Sequence, residues 1–319
     1  MEKIFVGIDV SKDNLDVALL EGTIYRDLQY SNDHSGIKGL LKELPSGAIL
    51  VMESSGPYHL RVAYAGFEAG FEVSVVNPLS VKRYCQMKLM RTKTDKADAR
   101  AIAEYAKVNQ PKLWEPPLEE INHLQQLDSL ISLAIKQRTQ VLAHQSALVA
   151  QPNPNKVVFG TIRKHLAAIE RAITKLENEI DQIVQKSYSE ELAKVTQIPG
   201  IGRKTAIQVL IVTQCFQKFD NCDSLVAYAG LCPRIYQSGK NQRSSFPICK
   251  LGQARIRSLL YMCALTAKRS NPSCKALFDR LVDKGKHKKV ALIAVAAKLL
   301  RQAFAIGTTM TDFQPNYIR

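Results

Sequence analysis

Four carboxylates occupy positions suited to metal-assisted chemistry. Asp9 ends the apolar run Ile4–Ile8 and is followed by Val10-Ser11-Lys12. Glu53 ends the run Ala48–Met52 and is followed by Ser54-Ser55-Gly56-Pro57. Asp95 and Asp98, three apart at the start of a helical pattern, share one face. In an α/β sheet, strand-end side chains face a common functional edge, so acids from three elements can converge there. Oxygen-rich clusters bind Mg²⁺, and two such ions about 4 Å apart clamp both oxygens of an in-line phosphoryl transfer. Singly, each acid has a plainer reading. Asp95 can be an N-cap, Asp98 a surface charge balancing Lys96 and Arg100, and Asp9 and Glu53 loop charges. The ordered set, with a hairpin after the first acid, is the stronger signal.

The surrounding pattern supplies the elements that must position these acids. Residues 4–8 read as a buried strand, 15–20 and 23–30 as a hairpin joined near Glu21-Gly22, and 48–52 and 72–76 as further strands. Helices are expected from the Asn32-Asp33 cap through Leu44, over 58–69, and from Thr94-Asp95 through Val108. This order is that of an α/β domain. Trp114-Glu115-Pro116-Pro117 reads as a linker, with Trp114 as its packing anchor. Residues 118–192 are helical with a break at 152–155, and Ile169, Ile173, Leu176, Ile180 and Ile183 recur at helical spacing. They suggest a long antiparallel hairpin, either pairing with other protomers or packing within the chain. From Val195 onward, short helices alternate with glycine-rich turns. The expected division is therefore 1–112, 113–193 and 194–319.

The 319 residues carry 44 Lys and Arg against 29 Asp and Glu, a net charge of +15. With 46% hydrophobic residues the chain is not disordered. Its seven cysteines form no C-x-x-C pair, which argues against a zinc ribbon or redox motif and suits a reducing cytoplasm. The apolar run Val290–Ala297 is broken by Lys298 and Arg301, short of a membrane span. Charge is uneven: 16 Lys and Arg between Leu231 and Arg301 face only Asp279 and Asp283, and nine more lie between Lys82 and Lys112. Two such runs point to a polyanion, most often nucleic acid, over solvated helix faces.

The segments G-I-D-V-S-K, M-E-S-S-G-P-Y and R-T-K-T-D-K-A-D-A resemble the RNase H-like (RuvC-like) domain of the DEDD transposases of bacterial insertion sequences. This is a bridge-RNA-guided recombinase family related to Piv-type DNA invertases. The later segments I-P-G-I-G-R-K-T-A, Y-Q-S-G-K and I-C-K-L-G-Q-A-R-I-R are similar to its C-terminal transposase domain. Minor departures fall at Ser54-Ser55 and Leu251-Gly252-Gln253. The resemblance implies a fold of class α/β plus α: an RNase H-like domain, a coiled-coil hairpin, and a helical domain with a helix-hairpin-helix turn at 198–206. It implies that Asp9, Glu53, Asp95 and Asp98 bind Mg²⁺, two ions with Mn²⁺ as substitute, and that Ser238 is the nucleophile. It further implies donor and target DNA and a structured bridge RNA as partners, a homo-oligomer from dimer to tetramer, and a bacterial cytoplasmic, nucleoid-associated location.

On the residues alone, Ser238 reads first as a turn serine beside Gly239. Arg234, Lys240, Arg243 and Lys250 supply charge for a phosphate, and no histidine lies nearby as base. Ser244 and Ser245 share the same loop. Further candidate nucleic-acid contacts are Lys12, Arg91, Lys93, Gly200, Gly202, Arg203, Lys204, Arg255 and Arg257, the two glycines letting a phosphate approach a helix start. Alternatives are a site-specific invertase, a Holliday-junction-type nuclease using water, and a catalytically inert nucleic-acid-binding protein.

Overall fold

The computed structural model describes all residues except 1–2, 55, 91–93, 154, 234–236, 239–240, 243–247, 250–251 and 316–319, and describes only the backbone of 237–238 and 241–242. The chain forms two compact units, residues 1–116 and 117–319.

The first unit is built on a five-stranded mixed sheet. Strands β1 (Phe5–Val10), β2 (Asn14–Glu21) and β3 (Ile24–Ser31) form an antiparallel meander, and β4 (Ile49–Glu53) and β5 (Glu72–Val76) extend β1 in parallel. The order is β3-β2-β1-β4-β5. Period-two alternation divides the sheet into two buried faces. Val6, Ile8, Leu15, Val17, Leu19, Leu50 and Met52 pack with Ile37 and Leu40 of α1 (His34–Glu43) and Val62 and Ala63 of α2 (His59–Glu68). On the other face Phe5, Ile49 and Val51 meet Val81 of α3 (Pro78–Met87) and Ile102 and Ala106 of α4 (Asp95–Asn109). Trp114 stacks edge-on against Tyr64 and Phe67 and closes the unit.

Helix α3 is absent from the sequence expectations. Its start is nonetheless marked in the sequence: Asn77 caps it by accepting from the Leu79 N–H at 2.9 Å, and Pro78 occupies the first turn.

The second unit is helical. Helices α5 (Glu119–Val149) and α6 (Lys156–Ser187) run antiparallel: Ala134 and Val141 pack beside Ile169 and Ile173, while Ile121 and Ile131 lie with Ile180 and Val184. The base of this hairpin shares one core with α7 (Ser189–Thr196), α8 (Arg203–Thr213), α9 (Cys222–Tyr228), α10 (Ala254–Ser270), α11 (Pro272–Asp283) and α12 (Lys288–Thr309). The boundary expected at 193/194 therefore falls inside one compact unit. Two short strands, β6 (Gln237–Ser238) and β7 (Asn241–Gln242), form an antiparallel pair.

The expectation about the apolar run near residue 290 needs correction. Helix α12 continues past Lys298 and Arg301 to Thr309, and by length and composition it is apolar enough to cross a membrane. Its apolar side is a protein core: Val295, Ala296, Leu299, Leu300 and Ala303 are fully buried. Lys298 and Arg301 break the run in sequence without breaking the helix.

Candidate active site

Sheet register brings the first acids together. Asp9 pairs directly with Asp16 across β1 and β2, and directly opposed residues in an antiparallel pair point to the same face. The β1–β4 ladder ends at Ile8 and Met52, so Asp9 and Glu53 are the next residues on either side of that seam. Each is still held on its outer side, Asp9 by Asp16 and Glu53 by Val76. Gln29, opposite Asp16 on β3, donates from Nε2 to Asp16 Oδ1 at 3.1 Å. Asp16, Asp9 and Glu53 thus form one row across three neighbouring strands.

Helix α4 brings the other two acids to the same face. Thr94 caps it by accepting from the Ala97 N–H at 3.2 Å, which puts Asp95 and Asp98 in the first turn. The helix lies unusually close to β1 because residue 7 is glycine. A Cβ at Gly7 would sit 2.1 Å from the carbonyl oxygen of Ala99 and 2.5 Å from the amide nitrogen of Ala103. No side chain fits there without displacing α4. The far side of the helix is fastened to β3: Arg100 donates to both carboxylate oxygens of Asp27 at 2.9 and 2.5 Å, and Tyr25 donates to Glu104 at 2.5 Å.

The gathered charge alters the acids. Asp9 is pushed up to about 6, first by burial and then by the charges of Asp98, Asp95 and Asp16. Asp16, buried in β2, is also raised, by burial and then by Asp95. The Cys85 thiol is raised by burial and then by Asp98 and Glu53, which places those two acids in one neighbourhood. Among the described residues, no three Asp, Glu, His or Cys side chains are close enough to hold a single ion. The donors are nonetheless all carboxylates, and their mutual repulsion is what a hard divalent cation relieves. In donor chemistry, though not in side-chain spacing, the residues present suit such an ion.

Asp16 is the member that the sequence expectations missed. Its signal was available in the turn. Ser11 and Asn14 bond each other through both backbone and side chain at 2.9 Å, which fixes the hairpin register and sets position 16 opposite position 9.

The expected nucleic-acid contacts divide into several groups. Lys12 is exposed in the β1–β2 turn. Arg91, Lys93, Arg234, Lys240, Arg243 and Lys250 lie outside the described residues. Arg203 is ion-paired with Asp181 at 3.0 Å, and Lys204 with Glu177. Arg255 donates to the Asp128 carboxylate, to the Asp128 carbonyl at 3.0 Å and to Ser132 at 2.8 Å. Arg257 donates to the Ala229 carbonyl at 3.0 Å. These last four cations have partners within their own chain. Gly200, at φ +103°, turns the chain between α7 and α8, and a Cβ there would lie 2.6 Å from that of Ala267, so this glycine serves helix packing. Gly202 starts α8 and faces open space.

Ser238 pairs with Asn241 in the β6–β7 ladder, with two residues joining the strands. The segment returns to the helical unit at the Pro233–Ile248 bridge, beside which Cys249 N–H donates to the Cys232 carbonyl at 2.9 Å. Its side chain, Ser244 and Ser245 lie outside the described residues.

Residues 6–154 match a family described as "Transposase", of the DEDD type named for the insertion sequence IS110, and residues 192–279 match the family "Transposase IS116/IS110/IS902". The chain belongs to this family of DEDD transposases. It is a DNA transposase/recombinase. Relatives include the pilin gene-inverting protein of Moraxella lacunata, 29% identical over 96% of both chains, and that of Moraxella bovis, 28% identical over the same shares. The transposase for insertion sequence element IS1111A of Coxiella burnetii is 23% identical over 80% of this chain and 75% of its own. Among solved structures, Thermus thermophilus RuvC in complex with a Holliday junction substrate covers 35% of this chain and 100% of RuvC, at 18% identity and a TM-score of 0.28.

Proposed function

We propose that this transposase moves an insertion sequence by cutting and rejoining DNA, with Asp9, Glu53, Asp95 and Asp98 holding Mg²⁺ and Ser238 acting as nucleophile. The observation that carries this reading is the convergence of acids from β1, β4 and α4 on one edge of a mixed sheet, in a chain of the transposase family. The first unit is read as RNase H-like, the hairpin as an assembly element, and residues 194–319 as the part presenting the serine.

Bound divalent metal supplies Lewis-acid polarisation of the scissile phosphate and lowers the pKa of the attacking hydroxyl. The rest falls to the chain. The Ser238 hydroxyl oxygen forms a phosphoester bond as the bond from phosphorus to the departing nucleotide oxygen breaks. The proton lost by serine is matched by one gained at that oxygen. The exchange conserves the phosphoester count, so rejoining needs no external energy source. A bridge RNA choosing the target, a homo-oligomer up to a tetramer, and action on nucleoid DNA in the bacterial cytoplasm complete the proposal. Arg91, Lys93, Lys12, Arg234, Lys240, Arg243 and Lys250 are its proposed nucleic-acid contacts, with Gly202 at the start of α8.

Site-specific DNA inversion is the second reading. It is favoured by the relatives named as pilin gene-inverting proteins, which align with 96% of this chain. Both readings use the same acids and serine. The test is strand cleavage of a plasmid carrying the element ends. Mg²⁺ should support cleavage in the wild type, and EDTA or Asp98→Ala should abolish it while nucleic-acid binding persists. Equal cleavage with EDTA and with Mg²⁺ would reject the metal site.

A further inference from the structure

The seam between β1 and β4 runs beside the acid site. Its last pair is Ile8 with Met52, and beyond it the two strands lead into separate connections. A side chain that joins those two connections acts on the end of the seam next to Asp9 and Glu53.

The residue that bonds both sides is Asn32, at the end of β3. Its side-chain amide donates from Nδ2 to the Ser11 carbonyl at 2.8 Å, two residues beyond Asp9. The same nitrogen donates to the Tyr58 carbonyl at 3.4 Å, in the connection that follows Glu53. The Asn32 backbone N–H donates to the Asp13 carbonyl at 2.8 Å, and its carbonyl accepts from Arg61 Nη1 of α2 at 2.9 Å. All but 1% of the residue is buried. Among the described residues its Oδ1 has no hydrogen-bond partner, although an unsatisfied buried oxygen costs about 1–3 kcal/mol. A residue chosen for stability alone would not leave that oxygen stranded. One chosen to place Nδ2 between two carbonyls from opposite sides of the seam would.

We infer that Asn32 is a positioning residue for the metal site, a clamp that holds the ends of β1 and β4 together and so sets the separation of Asp9 and Glu53. This inference rests on the proposed metal role of those acids. Asn32 touches neither metal nor DNA in this account. It acts through the backbone of the two connections it joins. Arg61 supports the clamp from the α2 side.

The test compares wild type, Asn32→Leu, Arg61→Ala and Asp9→Ala. Mn²⁺ binding is titrated calorimetrically on the full chain without DNA, and amide hydrogen exchange is followed in the metal-free protein. Outer-shell partners of metal ligands typically contribute 10–100-fold in affinity. Asn32→Leu should therefore weaken Mn²⁺ binding by about 10-fold or more. It should also speed exchange over residues 11–14 and 57–61 and leave the second unit's exchange unchanged. Arg61→Ala, at an exposed position, should shift both readouts in the same direction by less. If Asn32→Leu does not fold, Arg61→Ala decides. Wild-type Mn²⁺ affinity and exchange in a folded Asn32→Leu, with Asp9→Ala having lost binding, would overturn the clamp and leave the metal reading standing. Undiminished Mn²⁺ binding by Asp9→Ala would instead reject the metal reading itself.

Discussion

In residues 1–116, Asp9, Asp16, Asp95 and Asp98 are brought into one another's field with burial added. In residues 117–319, Arg203, Lys204, Arg255 and Arg257 are drawn to partners within their own chain. The first arrangement costs stability and has no structural return, which is the mark of a functional site. The second is structural: a row of cations in the sequence has become ties that fasten α8 to α6 and α10 to α5. Mutual repulsion among like charges, and not charge density along the chain, separates the two.

The largest effect on this contrast should come from Gly7, where the acids' approach is set without any charge. Gly7→Ala must lift α4 from β1 and carry Asp95 and Asp98 away from Asp9. A misplacement of about 1 Å can cost on the order of 100-fold in rate, and cleavage by Gly7→Ala should fall at least that far. Its melting temperature should fall as well, since overpacking costs about 1–3 kcal/mol. Wild-type cleavage by a folded Gly7→Ala would show that the α4 acids do not work with Asp9.

Arg255 probes the other half of the comparison. Its side chain is 22% exposed and that of Asp128 is 15%. Removing Arg255 leaves the part-buried Asp128 carboxylate with the Gln208 amide in place of a cation, so Arg255→Ala should lose about 2–3 kcal/mol in a denaturant titration. The salt dependence of nucleic-acid binding should stay as in the wild type. A reduced slope with unchanged stability would return Arg255 to the phosphate-binding set.

The acid site should be stabilised by neutralisation. Asp9 has a folded pKa of about 6 against an ordinary 3.8. A raised carboxyl contributes stability below pH 3.8 and loses it as pH rises through 6, so ionised Asp9 destabilises the metal-free protein at pH 7.5. A shift of about two units corresponds to about 3 kcal/mol, which partial exposure reduces to about 1–2. Asp9→Asn should melt higher than wild type at pH 7.5 without metal, and the gain should disappear below pH 4. Mg²⁺ should stabilise the wild type and not the variant. A lower melting point for Asp9→Asn at pH 7.5 would contradict the repulsive site.

The smallest effect is expected at Lys288, exposed at the start of α12. Lys288→Ala should lower the salt slope of binding by about one unit. An unchanged slope would show that this lysine faces solvent.

The first unit was readable because its signals are local. Short apolar and β-branched runs marked all five strands, and Asp9 and Glu53 ended two of them. The Thr94 cap set the phase of Asp95 and Asp98. Asp16 needed one more step, from the Ser11–Asn14 turn to the register. The fate of the cations was not readable, because their partners are remote in sequence: Asp128 lies 127 positions before Arg255. The same reason hid Asn32, whose bonds to Ser11 and Tyr58 follow from tertiary packing and not from any motif.

The central proposal, that Ser238 is the nucleophile and depends on the acid site, is tested most directly by looking for the covalent intermediate. Wild-type protein, incubated with end-labelled DNA of the element ends and Mg²⁺, should yield a protein–DNA adduct that survives boiling and runs with the protein on a denaturing gel. Ser238→Ala and Asp9→Ala should each abolish it, whereas Ser244→Ala and Ser245→Ala should retain it. A missing nucleophile typically costs several orders of magnitude in rate, so the loss should be complete on this scale. Cleavage by Ser238→Ala at the wild-type rate, with no adduct in either protein, would make water the nucleophile and contradict the account.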